Sequence, residues 1–127
     1  MSVVDRINRW VAGRLRRRPS VSVEPQGFRW TAADGGRFVS WLTVRRVLAL
    51  NRGAGLESTQ SLAIELSPAG VIVVDSEADG WTELLDGLGT HLPLRASAAS
   101  WQARLLAEEG ATITLYDRAE DSGAIQS

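Results

Sequence analysis

The chain has 127 residues, of which 44% are hydrophobic, and this length suits one domain with a core of its own. It contains no cysteine, which excludes disulfides, thiolate metal sites and a cysteine nucleophile. No run of about 18 apolar residues predicts a transmembrane helix, and the N-terminal region lacks the apolar stretch of a secretory signal, so we expect a soluble, cytoplasmic protein.

Charge is divided unevenly along the chain. The net charge is −1, and all 14 basic residues are arginine. Residues 1–20 carry six arginines and one aspartate, whereas the rest of the chain carries eight arginines and fourteen acidic residues. The chain therefore has a basic N-terminal end and an acidic body.

Residues 1–18 are predicted to form a basic amphipathic helix that ends before Pro19. At 100° per residue, its apolar side chains gather within an arc of roughly 140°. This apolar arc holds Val3, Val4, Ile7, Trp10, Val11 and Leu15. Basic helices with a tryptophan on the apolar side are typical of segments that lie on an anionic membrane surface. The predicted docking residues are Arg6, Arg9, Trp10, Arg14, Arg16, Arg17 and Arg18. The alternative is that the helix packs on its own domain, on a protein partner or on a second subunit.

The body of the chain begins with short strands. Weak alternation over residues 21–31, broken at Pro25, predicts two short strands or one interrupted edge strand. Residues 33–36 read Ala-Asp-Gly-Gly, which predicts a hairpin turn.

Residues 38–51 predict one long strand whose apolar positions follow two patterns. Alternation would place five side chains on one face, namely Phe38, Leu42, Val44, Leu48 and Leu50. A second set, Trp41, Val44 and Val47, is spaced by three, which a plain strand does not place on one side. We expect a β-bulge within residues 42–44 to reconcile the two patterns.

The clearest pattern in the sequence is a hairpin over residues 60–75. Leu62, Ile64 and Leu66 alternate with smaller or polar residues, and residues 71–74 form a β-branched run. Residues 67–70, with one proline and one glycine, predict the turn between the two strands.

A first helix is predicted after this hairpin, with Asp79 as its N-cap and Gly87 or Gly89 as its end. Its helically spaced apolar residues are Trp81, Leu84, Leu85 and Leu88. A second helix begins at Ser97 or Ser100 and ends at Gly110. Its expected apolar positions are Trp101, Leu105 and Leu106.

Residues 111–117 alternate as a final strand, with Ala111, Ile113 and Leu115 expected inward. The order of elements predicts an α+β fold with a curled, mostly antiparallel sheet or roll of about six strands. An N-terminal amphipathic helix precedes the sheet, and two consecutive helices precede its last strand. We expect residues 20–118 to form a single domain and residues 119–127 a disordered tail. Four tryptophans are expected in the core, namely Trp30, Trp41, Trp81 and Trp101.

Part of this pattern resembles bacterial pleckstrin-homology-like domains. The resemblance rests on Trp41, Val44 and Val47 in one strand, on the following hairpin, and on Trp-x-Glu-Leu-Leu at the start of the first predicted helix. It also extends to small uncharacterised bacterial domains that end in such a helix and a short strand. The resemblance implies a PH-like roll, and some members of these groups act near membranes. No functional residue is implied by it, because the matching positions are core positions.

Among the charged residues of the body, Arg45, Arg46 and Arg52 are a candidate contact for an anion such as a phosphate or a lipid headgroup. Arg45 and Arg46 are adjacent on a strand, so we expect them to point to opposite faces, with one paired to an acid or marking a bulge.

Metal chemistry and general base catalysis have weak support in the sequence. The single histidine, His91, is expected to complement the dipole at a helix C-terminus. Acidic residues between Asp75 and Asp86 follow the outline of a calcium loop, but they depart from it at Glu77 and at Asp86, which is too short for bidentate binding. We therefore expect no metal and no cofactor.

The sequence favours a non-enzymatic interaction domain, because no set of nucleophile, base and orienting residue is present. The expected partner is an anionic membrane surface or another protein, reached through the N-terminal helix, and the protein would lie at the inner face of the membrane. One alternative is a homodimer or larger homo-oligomer with the helix in the subunit interface. Weak non-specific nucleic-acid binding through the arginines is another alternative, and the acidic body disfavours it.

Overall fold

Runs of β-branched and aromatic residues, separated by turns that contain glycine or proline, make the first part of the body β-structure. The structure is a computed structural model, and it describes residues 19–32, 35–52, 59–108 and 110–119. The strands are β1 (Ser20–Glu24), β2 (Gly27–Ala32), β3 (Gly35–Ser40), β4 (Val44–Arg52), β5 (Thr59–Leu66), β6 (Val71–Asp75) and β7 (Thr112–Asp117). The helices are α1 (Trp81–His91) and α2 (Ala98–Ala107).

Strands β1, β2 and β3 form a three-stranded antiparallel sheet in chain order. Pro25 and Gln26 make the β1–β2 turn, so the interrupted run is two short strands. Gly27 follows at a close approach, since a Cβ there would lie 2.0 Å from the carbonyl oxygen of Val39. Phe28 and Val39 pair across β2 and β3 and are buried.

A single 3₁₀ turn, Trp41–Thr43, separates β3 from β4. The Ser40 hydroxyl accepts from the Leu42 amide at 3.2 Å, and the Thr43 hydroxyl donates to the Ser40 carbonyl at 2.8 Å. Because a 3₁₀ helix has three residues per turn, Trp41 and Val44 lie on one side, and both are buried. The prediction of one long strand over residues 38–51 is therefore wrong: it is two strands in different sheets.

The second sheet is four-stranded and antiparallel, in the order β6-β5-β4-β7. The predicted hairpin is confirmed as β5 and β6, and the Leu66 amide donates to the Gly70 carbonyl at 2.9 Å across the turn. Two rows of side chains cross the sheet on its core side, and all of them are buried: Val47, Ile64, Ile72 and Tyr116, then Ala49, Leu62, Val74 and Ile113.

Two register shifts modify this sheet. In β4, the pairing moves from Val44 to Arg46 against consecutive residues of β5, so Arg45 is an extra residue. In β7, Leu115 is the extra residue opposite β4. The bulge is thus at Arg45 and not within residues 42–44. As a result, Leu48 and Leu50 point away from the core, which corrects the predicted face of β4.

Helix α1 begins after Gly80, which has φ +87° and supplies no side-chain cap. The prediction of Asp79 as N-cap is wrong, because its carbonyl accepts from the Val21 amide at 2.8 Å and its amide donates to the Pro19 carbonyl at 3.0 Å. A Cβ at Gly80 would lie 2.0 Å from the Val21 carbonyl oxygen. Glycine therefore allows both the left-handed backbone and the close packing of β1 on the start of α1.

Helix α1 runs through Gly87 and Gly89 to His91, so the expected earlier end is wrong. His91 lies in the last turn, as expected, and its ring also stacks on Trp41, with centroids 4.9 Å apart. The contact with Trp41 was not predicted.

Helix α2 follows Ser97, whose hydroxyl accepts from the Ser100 amide at 3.2 Å and confirms the predicted cap. Trp101 and Leu105 are buried, but Leu106 is 82% exposed, contrary to prediction. Ile113 and Leu115 of β7 are inward as predicted, and Ala111 is half-buried beside the core.

The α+β class with antiparallel sheets is confirmed, and two helices precede the last strand. The single curled sheet of about six strands is corrected to two sheets, which hold seven strands in the described residues, without closure into a barrel. Trp41, Trp81 and Trp101 are buried, whereas Trp30 is half-buried. The predicted helix of residues 1–18 and, apart from Ala119, the tail lie outside the described residues. Within the described ranges, no helix is long and apolar enough to cross a membrane.

Candidate docking surface

The side of the second sheet that points away from the core carries an apolar row. The strand register places Val73, Ala63, Leu48 and Thr114 side by side across β6, β5, β4 and β7. Three of these four are apolar, and none is fully buried. An antiparallel sheet with one solvated side usually presents polar residues there. We call this side, with Val71 and Leu50, the outer sheet face.

Edge strand β6 makes the contrast between the two sides clearest. Val71 is 57% exposed and Val73 39% exposed, whereas Ile72 and Val74, which point inward, are 5% and 0% exposed. The sequence indicated only a β-branched run here, because four such residues in succession have no polar alternation that would reveal an outer side. The position of β6 at the sheet edge is a tertiary feature that the run does not encode.

Three of the four residues in the neighbouring row are charged. This row consists of Val71, Glu65, Arg46 and Asp117 across the same four strands. Arg46 therefore sits between two acidic positions, and such opposite-charge neighbours across strands are favourable. The outer sheet face is thus an apolar strip bordered on one side by paired charges.

Arg45 and Arg46 meet at one carboxylate because of the β4 bulge, in which two residues oppose Glu65. Arg45 Nη2 donates to Glu65 Oε1 at 2.8 Å, and Arg46 Nε donates to Glu65 Oε2. The expectation that these arginines point to opposite faces is wrong, whereas the expected pairing with an acid and the link to a bulge are confirmed. The Glu65 side chain is only 14% exposed, whereas the side chains of Arg45 and Arg46 are 55% and 40% exposed.

This pairing sets the ionisation of Glu65. The hydrogen bond from Arg46 holds the pKa of the Glu65 carboxyl below its ordinary value of 4.5, and Arg45 adds to the effect, while burial opposes it. The two arginines thus neutralise an internal acid. A further anion would have to share them with Glu65.

The chain enters the described region close to one end of the outer sheet face. The Ala78 amide donates to the Asp75 carbonyl at 2.9 Å, which forms a tight turn after β6. Asp79 follows, and it holds Pro19 and Val21 by the two backbone hydrogen bonds described above. Residues 1–18 therefore join the domain one short turn beyond the end of edge strand β6.

A cleft of about 580 Å³ lies between α1, α2 and the segment that joins them. It is lined mainly by apolar residues, among them Leu85, Leu92 and Trp101, with Asp86 and Arg95 as its charged residues. The Arg95 amide donates to the Leu115 carbonyl at 2.8 Å, which fastens the joining segment to β7. Among the described residues that line the cleft, the one with a hydroxyl group is Ser97, which accepts a hydrogen bond from the Ser100 amide.

Asp75, the first residue of the considered calcium loop, accepts a hydrogen bond from the Ser61 hydroxyl at 2.6 Å. Among the described residues, no three acidic or histidine side chains come together as a metal site.

The other candidate residues from the sequence lie beyond the described side chains. Arg52 ends β4, but its side chain is outside the described part of the structure. The seven predicted docking residues of the N-terminal segment also lie outside the described residues. Comparison of the chain with protein-family models, with curated proteins and with solved structures found no match.

Proposed function

We propose that this protein is a non-enzymatic interaction domain that binds an anionic membrane surface through its basic N-terminal segment, residues 1–18. The observation that carries the proposal is the division of charge, with six arginines before Pro19 and an acidic body after it. Electrostatic attraction to anionic lipid is worth about 1 kcal/mol per arginine near the surface. The apolar arc with Trp10 adds burial at the headgroup boundary.

The described part of the protein is consistent with a domain that presents the N-terminal segment to a membrane. The Asp79 amide donates to the Pro19 carbonyl and the Val21 amide donates to the Asp79 carbonyl, and these two hydrogen bonds fix the point where the segment leaves the domain. Arg45 and Arg46 are already paired with Glu65, which weakens the alternative of an anion site on the body. The resemblance to bacterial PH-like domains, some of which act near membranes, agrees with a peripheral position at the cytoplasmic face.

Vesicle sedimentation tests the proposal through charge-matched variants. We expect Arg16→Gln with Arg17→Gln to weaken binding to anionic vesicles by roughly 30-fold, because about 2 kcal/mol of attraction is lost. Arg29→Gln with Arg104→Gln removes the same charge from exposed positions of the body and should leave binding unchanged. Equal weakening by both pairs would contradict docking through the N-terminal segment.

Salt and lipid composition separate this function from the alternatives. Binding should fall steeply as the salt concentration rises and should be weak for neutral vesicles. A mobility shift with nucleic acid at low salt, combined with no vesicle binding, would favour the nucleic-acid alternative. A chain that sediments as a dimer and ignores vesicles would favour the subunit-interface alternative.

A further inference from the structure

The outer sheet face has the composition of a covered surface. Leu48, Ala63 and Val73 form a continuous apolar row, and Leu50 and Val71 extend it on either side. The side-chain hydrogen bonds from the sheet to α2 come from Asn51 and Gln60, which point to the core side. An α+β domain normally buries such an apolar sheet side under a helix.

We propose that residues 3–15 of the same chain cover the outer sheet face when the protein is not on a membrane. Apart from Arg14, which falls within it, the apolar arc of this segment matches the apolar row of the sheet in character. Binding to lipid would use the same arc, so the two contacts exclude each other. Only this last consequence depends on the proposed function.

The point of attachment and the length of the segment fit this occupant. Residues 1–18 join the domain at Pro19, one tight turn from Asp75 at the end of β6. A helix of thirteen residues is about 20 Å long, and a four-stranded sheet is about 14 Å wide. Residues 16–18 can span about 10 Å, which is the usual separation of packed layers.

Charge complementarity supports the same arrangement. Arg16, Arg17 and Arg18 directly precede Pro19, and two exposed acidic residues, Glu77 and Asp79, lie at this corner of the domain. The three arginines that precede Pro19 in the sequence are thus joined to a corner of the domain that carries negative charge. A short tether gives a millimolar effective concentration, so the chain's own segment should win over a second copy at micromolar protein.

Engineered cysteines test the proposal cleanly, because the chain has none of its own. We expect Ile7→Cys with Val73→Cys to form an intramolecular disulfide under mild oxidation, without lipid. Ile7→Cys with Leu106→Cys is the matched control, since Leu106 is 82% exposed on α2 and lies away from the outer sheet face. The yield for the first pair should exceed that for the control at least fivefold.

Equal yields for the two pairs, or no disulfide in either, would overturn the proposal. Disulfide-linked dimers in place of monomers would also overturn it and would assign the outer sheet face to a second copy. These outcomes are measured without vesicles, so they are independent of membrane binding.

A second variant tests the competition. Val73→Gln places an uncharged polar side chain on the outer sheet face, and it should weaken the internal contact and raise the affinity for anionic vesicles several-fold. Thermal unfolding establishes that the variant is folded. Unchanged affinity in a folded variant that binds vesicles would contradict the exclusion of one contact by the other.

Discussion

At Glu65, a single carboxylate receives two guanidinium groups because a bulge places Arg45 and Arg46 on the same side of β4. The sequence contains all three residues, but no residue near Arg45 predicts a β-bulge at that position. Pairing of distant strands determines the bulge. The local sequence pattern therefore indicates the acidic partner correctly but not the direction of the two arginine side chains.

We expect Glu65→Gln to lower the free energy of unfolding by about 1 kcal/mol at pH 7, since both arginine side chains are partly exposed to solvent. The folded-state pKa of Glu65 is lowered, so its stabilisation is present above pH 4.5 and is lost as the pH falls through the folded pKa. The difference between the variant and the parent should shrink below pH 4.5. Urea unfolding at pH 7 and at pH 3 measures this difference in stability. Glu77→Gln, at an exposed position, is the control. A difference that is the same at both pH values would contradict this account.

Trp81 is a second residue whose replacement has a clear expected cost. It is buried and makes an edge-on contact with Trp101, with ring centroids 6.3 Å apart. We expect Trp81→Ala to cost about 3 to 5 kcal/mol of stability. Leu106→Ala, at an exposed position of α2, should change stability by less than about 0.5 kcal/mol. Similar melting temperatures for the two variants would mean that Trp81 is not a core residue.

At the scale of elements, the predictions that succeeded rest on local signals. The β5–β6 hairpin follows from alternation around a turn with Pro68, and Ser97 caps α2 through a hydroxyl only three residues from its donor. The 3₁₀ turn Trp41–Thr43 and the start of α1 at Gly80 were missed, because both depend on contacts with distant strands. The local signs of the break are the spacing of Trp41, Val44 and Val47 and the hydroxyl groups of Ser40 and Thr43.

Gly80 joins two elements, and its replacement should affect both. We expect Gly80→Ala to destabilise the fold by more than about 1 to 2 kcal/mol, because φ is +87° and the new Cβ would overlap the Val21 carbonyl. Gly89→Ala is the matched control inside α1, where nothing lies within 4 Å of the new Cβ, and it should stabilise by up to about 1 kcal/mol. Chemical denaturation compares the two variants. The two changes in the free energy of unfolding should have opposite signs, and changes of the same sign would contradict this description of the start of α1.

At the scale of the whole molecule, a scaffold of two sheets and two helices holds a basic segment at a fixed corner. Fold class followed from the order of elements, since runs of strands and then helices indicate α+β structure. The split into two sheets did not follow from the order of elements, because it results from the break at Trp41. The outer sheet face was also not predicted, because the exposure of Val71 and Val73 depends on the position of β6 at the edge of the sheet.

The most direct test of docking through residues 1–18 is sedimentation of the full chain, and of a form that begins at Pro19, with anionic and neutral vesicles. Starting at Pro19 keeps β1 and its hydrogen bonds to Asp79 intact. We predict salt-sensitive binding of the full chain to anionic vesicles and loss of that binding on truncation. Binding by neither form, or equal binding by both, would contradict the account.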